Sequence, residues 1–227
     1  MPQKNTVKIS VENSFYHIYN RGVEKRIIFE NEQDYRVFLH YLKEALSPPL
    51  KKEDLPKDKV HVQGVSFDRP KRQSKNLHNK IELIAYCLMS NHFHLLIKQV
   101  EKGSMETLMR SLLTRYSMYF NKKYKRVGTL FQGTYKASLI DNDRYLLHLT
   151  RYIHLNPIET TSDVSRWYSS YANYLGIKKS NWLNPKLILS FFERAKIPEL
   201  KRVNSYEKFV EDFKKDSAEI LGEHTLE

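Results

Sequence analysis

Apolar and polar positions in the first half of the chain predict a strand, a helix and a hairpin. The run Phe15–Asn20 is rich in β-favouring residues and ends at Arg21-Gly22, which predicts a strand followed by a turn. Apolar residues at helical spacing follow a helix-start pattern at Asn31–Asp34 and stop before Pro48. Two further apolar runs, Ile81–Met89 and His92–Lys98, flank Ser90-Asn91 and predict a β-hairpin.

The second half predicts helices around one extended segment. A helix is expected from Ser104 to about Tyr124, and an extended segment from Thr129 to Ile140, with a bend at Gly133. A helix starting at Asp141–Asp143 is stopped by the proline at 157. Beyond it the pattern favours irregular structure and then helices at Lys186–Ala195 and Ser205–Leu221. This order of elements predicts an α+β fold with an antiparallel sheet and a C-terminal helical extension.

Residues 47–80 differ in composition from the predicted core. They contain nine Lys or Arg against four Asp or Glu, together with four prolines. A segment of this kind is typical of a long basic connection, with a short strand expected at Val60–Phe67.

Composition then narrows the class of protein. The 227 residues carry a net charge of +12, which favours a polyanionic partner, although a basic surface can also serve solubility alone. The single cysteine, Cys87, excludes an intramolecular disulfide and a cysteine-based zinc cluster. Because the sequence contains no apolar run of membrane-spanning length and no secretory signal pattern, we expect a soluble cytoplasmic protein with no membrane partner.

Two short motifs carry candidate chemistry. His92 and His94 stand two apart on a predicted strand, so both imidazoles face the same side and could bind a divalent metal. Tyr152 and Asn156 stand four apart on a predicted helix and share one face, offering a nucleophile and an amide oxygen. Each motif alone also fits a structural role, as polar groups on a wet sheet face or as an ordinary helix end.

Taken together, these motifs resemble a known family. The chain is similar to the single-tyrosine HUH transposases of the IS200/IS605 class, and most of all to the REP-associated tyrosine transposases. The resemblance covers about residues 12–176 and is carried by four segments in order, with a fifth similarity at 167–171. The segments are FYHIYNRG (15–22), MSNHFHLL (89–96), GTLFQGTYK (128–136) and RYIHLNP (151–157).

The resemblance implies a ferredoxin-like antiparallel sheet for a core of residues 1–157, with 47–80 as a basic insertion and 158–227 as the extension. It also implies that Tyr152 is the nucleophile and that His92, His94 and Asn156 bind Mg²⁺ or Mn²⁺. The implied reaction cleaves and rejoins single-stranded hairpin DNA through a 5′-phosphotyrosine intermediate. Asn156 departs from the glutamine of the better-known insertion-sequence members.

Basic residues are the expected DNA contacts. The stretch 110–126 holds six Lys or Arg and no acidic residue, interleaved with aromatics that could stack on bases or simply form a core stripe. With those inside the matched motifs, the predicted DNA-binding set is Arg21, Arg110, Arg115, Lys122, Lys123, Lys136 and Arg151. We therefore predict that the excess positive charge binds single-stranded DNA beside the metal site.

Other functions remain open at this point. A replication-initiation or relaxase-like nicking enzyme would use the same motif, and a nucleic-acid-binding regulator could keep the fold without cutting. His17, His40, His148 and His154 are alternative proton carriers or ligands, with His154 expected to be structural. Monomer and homodimer are both compatible with the residues.

Overall fold

A four-stranded antiparallel sheet forms the centre of the molecule, as seen in a computed structural model that describes residues 9–62, 65–70, 73–156, 168–194 and 205–211. Its strands are β1 Ser14–Arg21, β4 Ile81–Met89, β5 His92–Gln99 and β6 Lys136–Ile140. They lie in the order β4-β5-β1-β6, and every neighbouring pair is antiparallel. This arrangement confirms the α+β class expected from the sequence.

Helices cover both faces of the sheet. Their bounds are α1 Glu32–Leu46, α2 Ser104–Lys123, α3 Asp143–Leu155, α4 Tyr171–Tyr174, α5 Lys186–Arg194 and α6 Tyr206–Glu211. Asn31 and Asp34 form a reciprocal capping box at the start of α1, and the Asn142 side chain accepts from the Tyr145 backbone at the start of α3. The helix starts predicted at Asn31–Asp34 and Asp141–Asp143 therefore have a local physical cause. Ser104 does not cap α2, because Gly103 is the N-cap there and makes no side-chain bond.

Two hydrophobic cores lie on opposite faces of the sheet. Inward residues of β1 and β5, such as Ile18 and Phe93, pack against α1 and α2. Side chains that point to the other face of the sheet, including Leu96 and Ile140, pack against α3, α5 and α6. We call these the α1/α2 face and the α3 face. Because side chains alternate along a strand, His17, His92 and His94 fall on the α3 face.

The basic segment 47–80 contains a hairpin where the sequence predicted one strand. Strand β2 spans Lys57–Val62 and pairs antiparallel with β3, Val65–Pro70, to form a separate two-stranded sheet. The predicted strand at Val60–Phe67 was wrong because the chain reverses in its middle. The sequence did carry a signal, since Gln63-Gly64 interrupts the apolar run between the two strands.

The predicted extended segment Thr129–Ile140 is a strand only in its last five residues. Positive φ angles of 91° at Gly128 and 68° at Gly133 turn the chain before β6 begins. Residues 131 and 132 still bond to the end of β1, through a bridge at Gly22 and through the Arg21 carbonyl. The bend predicted at Gly133 is therefore present, and the strand begins only after it, at Lys136.

The C-terminal region runs along the outer edge of β4. Backbone bonds join Leu88 to Tyr168, Ser170 to Tyr86, and Asn184 to Leu83. Helix α5 ends at Arg194 and α6 at Glu211, so the predicted ends at Ala195 and Leu221 lie outside the described residues. Within the described part of the chain, no helix is both long and apolar enough to cross a membrane.

Candidate active site

His92 and His94 open strand β5 and project from the α3 face. Their ring centroids are 5.1 Å apart, and the ring planes are nearly perpendicular. His94 is fully buried, whereas His92 is partly exposed at the end of the strand. The intervening Phe93 points to the other face and packs into the core there. The pairing of the two imidazoles predicted from their i, i+2 spacing is therefore present.

Tyr152 on helix α3 faces these histidines. Its ring lies 5.4 Å from the His94 ring in an edge-on arrangement. Asn156 follows at the helix end, where its Nδ2 donates to the Tyr152 carbonyl at 2.8 Å. The Asn156 side chain is also hydrogen-bonded to His92. The structure thus brings the four residues predicted from the two motifs into one place, although they come from elements about 60 residues apart in sequence.

Burial sets the charge state of the two histidines. The pKa of His92 is lowered mainly by its burial. A hydrogen bond that the ring donates to the Asn156 side chain raises it, and the nearby Arg21 charge lowers it. The pKa of His94 lies well below its usual value because of burial and the neighbouring His17 and His92. Both imidazoles are therefore neutral near pH 7, which is the form that binds a metal.

The side chains of this site fit a divalent metal, and one atom of His94 points to it most directly. His94 Nε2 is buried and has no hydrogen-bond partner among the described residues. An aromatic nitrogen in this state is suited to a metal ion, which would take the place of the missing partner. Among the described residues, no three His, Cys, Asp or Glu side chains are arranged to hold a metal by themselves. A metal here would therefore also need Asn156, or oxygen atoms from substrate or water.

Three further aromatic residues surround the predicted four. His17 lies against His94, and Tyr19 lies 6.1 Å from the His94 ring. Tyr145 is close enough to Tyr19 and Tyr152 for their charges to affect its pKa, which is raised mainly by burial. Their signal in the sequence was spacing: His17 and Tyr19 share a strand face, and Tyr145 precedes Tyr152 by seven residues on a helix.

Two of the predicted cations flank this site. Arg21 pairs with His92 across β1 and β5, and its Nε donates to the side-chain oxygen of Gln132. Lys136 pairs with Tyr19 across β1 and β6, and its Nζ lies 5.9 Å from the centre of the Tyr19 ring. Both side chains are partly exposed on the α3 face, where they can meet a phosphate.

The cations of helix α2 are not brought to the site. Helix α2 packs on the α1/α2 face, so the sheet separates it from the histidines. Arg115 is paired with Glu44 at 2.6 Å, and Lys123 is paired with the buried Asp34 at 2.6 Å. Arg110 and Lys122 are exposed on the same helix. The expectation that this stretch holds DNA beside the metal site is thus corrected, because sequence proximity did not imply a shared face.

Arg151 is also corrected as a DNA contact. Although it neighbours Tyr152, it points into the α3-face core and is only 7% exposed. Its guanidinium lies 3.7 Å from the centre of the Phe209 ring on helix α6. The helical turn places consecutive residues about 100° apart, so one motif can hold both a site residue and a core residue.

The remaining candidate residues have structural environments. His154 is fully buried, with Nδ1 bonded to the Tyr206 hydroxyl at 2.6 Å and Nε2 to the Ser170 hydroxyl at 2.7 Å. This agrees with its predicted structural role. Cys87 is buried in the same core, His40 is exposed on α1, and His148 is buried with its ring against Phe209.

Comparison with known proteins agrees with this geometry. Residues 71–156 match the family described as "Transposase IS200 like". The chain is similar in structure to a REP-associated tyrosine transposase bound to a REP hairpin. That likeness has a TM-score of 0.50 and 15% sequence identity, and it covers 80% of this chain and 92% of the other. No curated protein matches the chain. The match over residues 71–156 agrees with the resemblance to IS200-like transposases drawn from the sequence segments, and the structural likeness agrees with the fold.

Proposed function

We propose, from the premise that residues 71–156 are an IS200-like transposase domain, that this protein cleaves and rejoins single-stranded hairpin DNA through Tyr152. The observation that carries the proposal is the meeting of Tyr152, His92, His94 and Asn156 on the α3 face. A strand-transfer reaction requires a nucleophile beside groups that stabilise phosphate charge, and this site supplies both. Hairpin DNA is proposed because the similar REP-associated transposase was solved with a REP hairpin.

Each step exchanges one phosphodiester for another. The Tyr152 oxygen attacks the scissile phosphorus, a new P–O bond to tyrosine forms, and the bond from phosphorus to the 3′-oxygen breaks. The tyrosine gives up its proton and the leaving 3′-oxygen takes one, so the products are a 5′-phosphotyrosine and a free 3′-hydroxyl. Attack by another 3′-hydroxyl reverses the sequence and rejoins strands. Because bonds of the same type form and break, no nucleotide triphosphate is consumed.

The chain's own residues orient and neutralise the phosphate. Helix α3 carries Tyr152 to the site, and Asn156 ties the end of that helix to His92. Arg21 and Lys136 provide positive charge from β1 and β6 on either side of the histidines. Mg²⁺ or Mn²⁺ held by His92, His94 and Asn156 would supply Lewis-acid stabilisation of the phosphate oxygens.

A covalent-adduct assay tests this function. Protein, Mn²⁺ and end-labelled single-stranded hairpin DNA are incubated and resolved on a denaturing gel. We expect a protein–DNA adduct that is lost in Tyr152→Phe and in the double variant His92→Ala/His94→Ala. Tyr41→Phe, which alters a tyrosine on the α1/α2 face, is the matched control and should keep the adduct.

The competing functions give different outcomes in the same assay. An adduct that survives Tyr152→Phe would contradict the assignment of the nucleophile. Binding of hairpin DNA by the wild type without cleavage of any hairpin tried would favour a non-cleaving regulator. Cleavage without rejoining to a second 3′-hydroxyl strand would favour a nicking enzyme.

A further inference from the structure

Arg21, at the end of strand β1, is a cation without an acidic partner. Among the described residues no carboxylate pairs with it, whereas Arg115 is bound to Glu44. Its Nε instead donates to Gln132 Oε1 at 2.5 Å. A guanidinium is always protonated in proteins, and an amide is neutral. The bond therefore holds Arg21 in place and leaves its full positive charge available to an anion.

The strand register places this guanidinium beside the two histidines. Arg21 lies directly opposite His92 in the antiparallel pairing of β1 with β5. Side chains that are directly opposite in such a pair have Cβ atoms about 4.5–5.5 Å apart and share one face of the sheet. The Arg21 charge is close enough to lower the pKa of His92. A phosphate that lies over His92 and His94 therefore also lies beside Arg21.

The bond to Gln132 sets the direction of the guanidinium. Because the Arg21 Nε can only donate, the atom of the Gln132 amide that faces it must be the oxygen. With Nε–H occupied, the four N–H groups on the two terminal nitrogens remain for another acceptor. That fork matches two oxygens of one phosphate group. The same bond fixes the rotation of the planar group, so the fork has one orientation.

Gln132 is itself held by the loop that precedes β6. Its backbone N–H donates to the Arg21 carbonyl at 2.8 Å, so the two residues are joined through backbone and side chain. The residues on either side are also anchored. Phe131 is buried in the core, and the Gly133 carbonyl accepts from the Asn20 side chain at 3.4 Å. The amide oxygen therefore reaches Arg21 from a fixed part of the backbone.

We propose that Gln132 is a positioning residue that directs the guanidinium of Arg21 at the phosphate attacked by Tyr152. The inference rests on the proposed function, because it assigns a role in that same reaction. Negative charge on the non-bridging oxygens of this phosphate grows in the transition state, and a donor already oriented towards them stabilises it most. Arg21 donates to those oxygens, whereas Gln132 acts through Arg21.

Comparing cleavage with binding tests this role. Single-turnover cleavage and metal-free binding are measured on the same end-labelled single-stranded hairpin DNA. Arg21→Ala removes the donor, so we expect cleavage to slow by about 100-fold and the salt slope of binding to fall by about one. Gln132→Leu keeps the charge but releases its orientation. Cleavage should slow by roughly 10–100-fold, while the dissociation constant and salt slope stay as in the wild type.

Two further variants separate positioning from a general structural effect. The double variant Arg21→Ala/Gln132→Leu should cleave as fast as Arg21→Ala, because Gln132 then has nothing to position. Gln132→Glu keeps an acceptor for Nε but neutralises the guanidinium, so it should slow cleavage and lower the salt slope. Gln33→Leu and Gln33→Glu, at an exposed glutamine on α1, are the matched controls and should behave as the wild type does.

Wild-type cleavage by a folded Gln132→Leu protein overturns the proposal, as do additive losses in the double variant. If Gln132→Leu does not fold, Gln132→Glu decides, and its cleaving at the wild-type rate overturns the proposal. Nuclear magnetic resonance gives a readout that needs neither DNA nor metal. We expect the Arg21 Nε–H to exchange with solvent more slowly in the wild type than in Gln132→Leu, and equal exchange overturns the proposal.

The same experiments separate this inference from the proposed function. If the wild type forms the Tyr152 adduct but Gln132→Leu cleaves at the wild-type rate, only the positioning role fails. If the Arg21 Nε–H is protected as expected but no hairpin forms an adduct, the proposed function fails. The bond between Arg21 and Gln132 then remains a structural feature of the loop, and the positioning role is overturned with the reaction it serves.

Discussion

The buried His154 should make the stability of the protein depend on pH. It sits on helix α3, two residues from Tyr152, and joins α3 to α6 through Tyr206 and to the β4 edge through Ser170. Full burial lowers the pKa of His154 to about 3. In the unfolded chain its pKa is expected near 6.5, so the unfolded state takes up the proton more readily.

The sign and size of the effect follow from those two values. Stability contributed by neutral His154 is present above pH 6.5 and is lost as the pH falls from 6.5 towards 3. At pH 5 this difference in pKa shifts the equilibrium towards the unfolded state by a factor of about 30. The free energy of unfolding is thereby lowered by about 2 kcal/mol. At pH 7 almost none of this stability has been lost. Nearly the whole loss of about 2 kcal/mol should therefore occur between pH 7 and pH 5.

His154→Gln isolates the contribution, since an amide can donate and accept but does not titrate. Urea unfolding followed by circular dichroism at pH 7 and pH 5 gives the free energy of unfolding of each variant. We expect the wild type to lose about 2 kcal/mol more than His154→Gln over this range. His40→Gln, at an exposed histidine, should lose as much as the wild type. Equal losses in His154→Gln and the wild type would refute the reasoning.

Three other changes have defined outcomes. Asp34→Ala should lower the free energy of unfolding by roughly 3 kcal/mol in urea titrations, because it removes one half of the α1 capping box and the buried partner of Lys123; an effect below ~1 kcal/mol contradicts this. Lys136→Ala should weaken binding of single-stranded DNA and reduce its salt slope by about one, measured by fluorescence anisotropy, whereas Arg115→Gln on the opposite face should not. Gly22→Ala should lower the melting temperature, because its Cβ would overlap the Arg26 carbonyl oxygen; an unchanged melting temperature would show that the backbone moves to accept it.

The C-terminal region could be assessed only once the fold was known. Its helices are visible in the sequence, but their docking depends on pairs far apart in the chain. Arg151 stacks on Phe209, and the hydroxyl of Tyr206 bonds to His154. These contacts place helix α6 directly behind the helix that carries Tyr152, which no local pattern could indicate.

The sequence by itself determined strands β1, β4 and β5, the starts of α1 and α3, and the pairing of candidate residues within each motif, because each depends on local spacing. Alternation along β5 puts His92 and His94 on the same face of that strand. The helical repeat puts Tyr152 and Asn156 on the same face of helix α3. What only the tertiary structure decided is which faces meet. It joined those two motifs, added His17 through strand pairing, and placed the cations of α2 behind the sheet. The physical reason is that strand order and helix packing depend on long-range burial of apolar surface, which charge patterns along the chain do not encode.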